Sequence, residues 1–459
     1  MTFVRLKFKH ISLVAATFAL AMNASADIDP VLLTTKAPYP APQHSDQGIN
    51  APEGYRPVMI QHVARHGSRG LSSSDDEDLL YQLWQYAKER DELTPLGEQL
   101  GPQLEEMIRV HEALGFGQIT ELGRQEHIHQ AKRLIERLGP LFEEADRPIL
   151  ISHSGRLRAA QSGDAFIAGL LEAMPGLENQ LTPAYASPTT LYFHSAEGSP
   201  DYLDYEENDP QLAAVLEGLY AQPDVQEAYR AVLLALFSPE LVDTLERGDL
   251  EFVASADPEE TLSSVEDAVE ALYGLLTISS NLSSEGNFDF EPFFTQDQLE
   301  VIANLDDTDS FYGRGPGFAG RDVTYRAADA LFAEMLSQAN QTPLDTLASF
   351  RFTHSQVMMP VTTWLRMPNA WPGATAEAPF HFDTHGWRSA LISPMAANLQ
   401  WEIWEDDEGH RLVHMLYNEK PEAFPPPCEP LPQHPFFYRL DMINQCLMAI
   451  HPSLENHLD

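Results

Sequence analysis

The chain has 459 residues, a formal net charge of −41 and two cysteines. So large an acidic excess excludes nucleic acid as a partner, because displacing counterions from a polyanion needs a basic face. The length exceeds what one compact core usually holds and predicts two structural lobes.

The first residues combine a basic start (Arg5, Lys7, Lys9), an apolar run from Ile11 to Met22 and the small residues Ala24-Ser25-Ala26. They predict a cleavable secretory signal over residues 1–26, and hence export to a periplasm or to the medium. The apolar run is too short to span a bilayer, and no later run reaches about twenty uninterrupted apolar residues, so no membrane span is expected. Residues 27–54, rich in Pro, Ala and Gly without apolar periodicity, predict an extended N-terminal lead-in. Pro57–Val63 is an apolar run of strand length that ends abruptly at Arg65-His66-Gly67-Ser68-Arg69. Helical spacing follows in Leu79, Leu80, Leu83, Trp84 and Ala87, and again from Leu122 to Leu138. A second strand is expected at 148–152, then a basic loop and a helix over about 160–173. Strand, loop and helix in alternation is the rhythm of an α/β sheet.

From 172 to 310 the rhythm changes to acidic helical segments such as Gln211–Tyr220, Val225–Phe237 and Val265–Ile278, which predict an inserted, mainly helical lobe. Strand-like runs return at 349–353, at 399–404 with alternating Leu399, Trp401 and Ile403, and at 412–417. The sheet domain is therefore expected to be discontinuous, over 55–171 and 311–459. After the signal only Lys36, Lys88, Lys132 and Lys420 remain as lysines, so an anionic substrate must be held by a local arginine cluster. Cys428 and Cys446 lie close together in a chain expected to meet an oxidising compartment, and are read as one structural disulfide.

A nucleophilic histidine must be largely neutral, oriented through its other ring nitrogen, and faced by a phosphate whose charge is already matched. Arg65-His66-Gly67-Ser68-Arg69 offers this at the carboxyl end of a strand, where open α/β sheets bind ligands. Gly67 permits close backbone approach, and each guanidinium presents a planar fork to phosphate oxygens. Read from spacing alone, an ordinary surface loop is the competing interpretation.

The segment resembles the signature of the histidine acid phosphatase and phytase branch of the histidine phosphatase superfamily, whose sheet domain has a phosphoglycerate mutase-like fold. The resemblance implies that His66 becomes a phosphohistidine and that Arg65 and Arg69 bind the phosphate. It implies a third arginine four residues before a serine, which Arg158-Ala159-Ala160-Gln161-Ser162 matches, with Arg156 as a nearby competitor. It also implies a second histidine after a late strand, His354, donating to the phosphoryl group. Ser393-Pro394-Met395-Ala396-Ala397-Asn398, Tyr417-Asn418-Glu419 and the terminal cysteine pair agree with it.

The sequence departs from the family at the proton donor. Where typical acid phosphatases have an aspartate directly after the late histidine, this chain has Ser355. Where multiple inositol polyphosphate phosphatases have a glutamate two residues after it, this chain has Gln356, whose amide has no proton to give at working pH. The pattern fits the second group better. The resemblance implies phosphomonoester substrates, with inositol phosphates the leading candidate, and no metal or organic cofactor. A catalytically weakened protein that binds inositol phosphates is the alternative that Gln356 favours. A metallohydrolase built on His381, Asp383 and His385 is a second alternative, although Pro379 and Gly386 argue that this segment is a loop. Arg314, where the insert returns to the sheet, is a candidate for distal substrate phosphates or a plain interdomain turn.

Overall fold

A computed structural model describes residues 28–42, 51–144, 146–195 and 199–457. The expected signal over residues 1–26 lies outside them. The strands are β1 (Arg56–Arg65), β2 (Ile149–His153), β3 (Tyr185–Ala186), β4 (Phe252–Val253), β5 (Thr261–Leu262), β6 (Ala348–Thr353), β7 (Asn398–Glu405), β8 (Arg411–Tyr417), β9 (Lys420–Glu422) and β10 (Phe437–Arg439). All but the small β4–β5 hairpin form one mixed sheet, in the order β10-β8-β7-β1-β6-β2-β3 with β9 beside β8. β1 runs parallel to β6 and antiparallel to β7, and β2 continues the parallel half.

Both faces of the sheet are covered, and the pleat sorts the side chains between them. From β1, Ile60 and Ala64 join one core, under the helices Glu121–Glu144 and Leu157–Ala173 through Leu134, Phe142, Phe166 and Leu170. Met59 and Val63 point the other way, with Leu399, Trp401 and Ile403 of β7, onto Phe332, Val361, Trp364 and Leu447. The expected alternation along β7 is thus the alternation of a strand buried on both faces.

A third core is helical. The expected helices between 172 and 310 are present, and several begin as their sequence dictates, with proline in the first turn at Pro200, Pro210, Pro223 and Pro239. Ser264 with Asp267, and Thr295 with Gln298, close reciprocal capping boxes. The helices Asp75–Lys88 and Gly97–Leu114, grouped by sequence with the sheet domain, bury Leu80, Leu83, Leu104 and Met107 in this helical core instead. Periodicity shows that a helix has an apolar face but not which neighbour covers it. The segment read as an extended lead-in also differs: Pro30–Lys36 forms a 3-10 turn with Leu32 and Leu33 buried. Its order comes from tertiary contacts, which no local pattern displays. Cys428 and Cys446 are joined as a disulfide.

Candidate active site

The pairing of β1 with β6 sets Arg65 opposite Thr353, so His66 and His354 leave the sheet side by side. Their rings lie 5.3 Å apart, edge to face, at 2% and 0% exposure. β2 adds the turn Ser154-Gly155, where Gly155 takes a φ of +88° that suits glycine and starts the helix carrying Arg158. The three contributing strands are parallel neighbours, and all deliver their side chains at the carboxyl edge.

The loop after β1 is clamped from several directions. His66 N–H donates to Thr353 O (2.8 Å), and Ala396 N–H donates to His66 O (2.9 Å). The Glu126 carboxylate accepts from Ser68 N–H (2.7 Å), Ser68 Oγ (2.8 Å) and Tyr39 N–H (3.0 Å). Gly67 N–H donates to Ser162 Oγ (3.0 Å), which in turn donates to Arg158 O (2.8 Å). The arginine-to-serine spacing thereby acquires a physical reason, since Ser162 ties the Arg158 turn to the His66 loop. A Cβ on Gly67 would stand 2.5 Å from the carbonyl oxygen of Gly123, so the loop can seat against its neighbouring helix only as glycine.

Three guanidiniums face this loop. Arg65, 2% exposed, spends Nη1 on the carbonyls of Thr35 and Ser393, which fix its orientation. Arg69 donates from Nη1 to Gly70 O (2.6 Å). The Nε atoms of Arg65, Arg69 and Arg158 have no hydrogen-bond partner among the described residues, nor does Nδ1 of His354. Burial, reinforced by mutual repulsion, lowers Arg65 to about 9 and Arg69 to about 10. Buried donors and like charges gathered without partners are costly unless an anion is their purpose. Arg156, the competitor of Arg158, is exposed and lies 4.8 Å over the ring of Tyr192.

Burial first, then Arg65, His354, Arg158 and Arg69, holds His66 well below the usual histidine range, so its ring is neutral. Its Nδ1 lies 3.0 Å from Gly67 O, and because a carbonyl only accepts, Nδ1 carries the proton and Nε2 keeps its lone pair. His354 is pushed down to about 2, by burial and then by Arg158. Its Nε2 is 2.7 Å from Ser154 Oγ. That hydroxyl also accepts from Arg156 N–H (3.4 Å), so Ser154 ties the turn after β2 to His354 and leaves the Nδ1 side of the ring toward the arginines without a protein partner. Tyr192, which no sequence signal marked, packs edge-on against His354 at 4.9 Å.

Gln356 is the second residue of the helix Ser355–Trp364, two residues beyond His354, and its Oε1 accepts from Ser355 Oγ (3.1 Å). Arg314 is held by Glu206 (2.8 Å) and Asp309 (3.4 Å), so its guanidinium is already matched by carboxylates. His381, Asp383 and His385 do not alternate along a strand: Phe382–His385 is a single helical turn that His381 caps. Among the described residues no group of three His, Cys, Asp or Glu side chains is arranged to hold a metal ion.

A neutral imidazole and unmatched guanidiniums gathered at one sheet edge suit the binding and transfer of a phosphoryl group. Residues 58–418 match the histidine phosphatase superfamily (branch 2), and the chain belongs to that family. Among solved structures it is similar to the Bifidobacterium longum multiple inositol polyphosphate phosphatase in complex with inositol hexasulfate. That match has 27% identity over 92% of this chain and 98% of that one, with a TM-score of 0.86. The phytase of D. castellii shares the fold at 14% identity and a TM-score of 0.60, covering 92% of this chain and 85% of its own. A comparison with curated protein sequences returned no significant match.

Proposed function

We propose that the protein is a phosphomonoester hydrolase that works through a phosphohistidine on His66. The observation that carries this reading is the free, neutral Nε2 of His66 set among unspent guanidinium donors of Arg65, Arg69 and Arg158. In the proposed reaction the arginines take the non-bridging oxygens and His354 donates a hydrogen bond from Nδ1 to the same oxygens. Nε2 of His66 then forms a bond to phosphorus as the ester P–O bond breaks, and the departing oxygen takes its proton from solvent water. Water next attacks phosphorus, the N–P bond breaks, and inorganic phosphate leaves. Charge stabilisation dominates such transfers, so removing one arginine is expected to cost roughly 100-fold to 1,000-fold. Gln356 can hydrogen-bond the departing oxygen but supplies no proton.

The likeness to a phosphatase crystallised with inositol hexasulfate makes inositol phosphates the first substrate class to test. Export to a periplasm or the medium is part of the proposal, supported by the Cys428–Cys446 disulfide. Gln356 favours a second reading, a binding protein for inositol phosphates without efficient turnover. The deciding experiment is phosphate release from an aryl phosphate and from inositol phosphates, with chelator present, by wild type and His66→Ala. Turnover lost in the variant supports the hydrolase. Binding without turnover in the wild type would replace it with the second reading, and chelator-sensitive turnover that survives His66→Ala would overturn both.

A further inference from the structure

The segment that follows β3 passes beside the phosphate site, and the sheet holds it at two points. Ser187 N–H donates to His153 O at the end of β2 (2.8 Å), and Thr353 Oγ1, from the residue before His354, donates to Leu191 O (2.6 Å). The next residue, Tyr192, is therefore delivered beside His354 by the strand end that delivers the histidine itself. Its ring is held on three sides: edge-on to His354 at 4.9 Å, against His194 at 4.2 Å, and under the guanidinium of Arg156 at 4.8 Å. Burial lowers Arg158 and Tyr192 opposes that shift, so the phenol stands within electrostatic reach of this guanidinium too.

The hydroxyl at the end of this fixed ring is unspent. Tyr192 is half-buried, and its Oη makes no hydrogen bond among the described residues and is not enclosed. Exposure rises outward from the nucleophile, from His66 and His354, both at most 2% exposed, to Tyr192 and then to the exposed Arg156. An in-line transfer to Nε2 of His66 releases the departing oxygen on the side of phosphorus away from His66, and hence outward. Gln356 has no proton for that oxygen, whereas a phenol has one to give.

We propose that Tyr192 is a further catalytic residue, whose phenol hands a proton to the departing oxygen. The proposal rests on the hydrolase reading of His66 and deepens it. As the ester P–O bond breaks, the Tyr192 O–H bond breaks and its proton joins the departing oxygen, which leaves as an alcohol. The phenolate that remains is stabilised by the charges of Arg158 and Arg156, and then takes a proton from solvent water. Solvent is thus still the source of the proton, and Tyr192 is its route. Phenols are far weaker acids than carboxylic acids, so this route supplies only part of what a glutamate at position 356 would.

The test compares kcat and KM for glycerol phosphate, an alkyl ester, and for 4-nitrophenyl phosphate, whose leaving group needs no proton, in wild type, Tyr192→Phe, Gln356→Glu and the double variant. Phenylalanine keeps the ring and its contacts, and the aryl ester reports whether the site is still formed. Tyr192→Phe should lower kcat for glycerol phosphate about tenfold and for the aryl ester only about twofold. Beside Gln356→Glu the same change should cost glycerol phosphate only about twofold, because a carboxylic acid then serves the departing oxygen. Equal losses for the two esters, no loss for either, a loss confined to KM, or an undiminished loss beside a Gln356→Glu that raises alkyl turnover would overturn the proposal while leaving the hydrolase intact. No turnover of the aryl ester by the wild type would overturn the hydrolase reading, and the proposal with it.

Discussion

Replacing His62 with leucine isolates the energetic consequence of keeping histidines neutral inside this fold. His62 lies on β1, four residues before His66, packed against Phe166 (5.2 Å), Phe350 (5.8 Å) and Phe352 (6.4 Å) at 3% exposure. Burial lowers it to about 3, and the amide of Gln400 opposes this only in part. The folded ring therefore refuses a proton that the unfolded chain accepts below about pH 6.5. Stability contributed by the neutral ring is complete above that pH and is lost as pH falls through the window from about 6.5 to about 3. Between about pH 7 and about pH 5 the unfolded histidine becomes almost fully protonated, a loss of about 2 kcal/mol for this side chain. Leucine has no proton to take up and fits an aromatic surround. Urea unfolding of wild type and His62→Leu would be followed at both pH values, without phosphate, which would bind the arginine cluster. The wild type should lose about 2 kcal/mol more than the variant on acidification, whatever their difference at neutral pH. Equal losses would refute the reasoning, because His62 would then be protonated or solvated in the folded protein.

Restoring the family's donor with Gln356→Glu should raise kcat/KM for alkyl phosphates by about 100-fold while changing aryl phosphates only a few-fold, since poor leaving groups depend most on a proton. An unchanged alkyl-to-aryl ratio would mean that the departing oxygen is protonated from elsewhere. Glu402 is fully buried beside Arg137 and His414. Burial pushes its carboxyl up, but Arg137 and His414 outweigh this and hold it down to about 2. Its contribution is therefore complete above the ordinary carboxylate range and fades as pH falls toward about 2. Arg137→Met strips the partner from a buried charge and should cost about 3–5 kcal/mol in urea unfolding near neutral pH. A loss below about 1 kcal/mol would show that His414 and Gln400 suffice for Glu402.

The parts of the site that are contiguous in sequence were legible there. An apolar strand ending in Arg65-His66-Gly67-Ser68-Arg69 exposes its chemistry directly, and the Arg158-to-Ser162 spacing reflects one hydrogen-bonded turn of the helix Leu157–Ala173. Glu126 was not legible, because a buried carboxylate accepting three protein donors has no local pattern that sets it apart from a surface glutamate. The carbonyls of Thr35 and Ser393 that orient Arg65 are backbone groups, and any residue would supply them. At His381 to His385 the flanking Pro379 and Gly386 were a better guide than the ligand-like alternation, since the backbone there makes a single helical turn instead of a strand.

The central claim is that His66 carries the phosphoryl group, and rapid acid-free quenching during turnover of a radiolabelled phosphate ester tests it most directly. The account predicts a protein-bound label that is stable in alkali, labile in acid, maps to the peptide containing His66, and is absent from His66→Ala. Turnover in the wild type without any such label, or a label that persists in the variant, would contradict it.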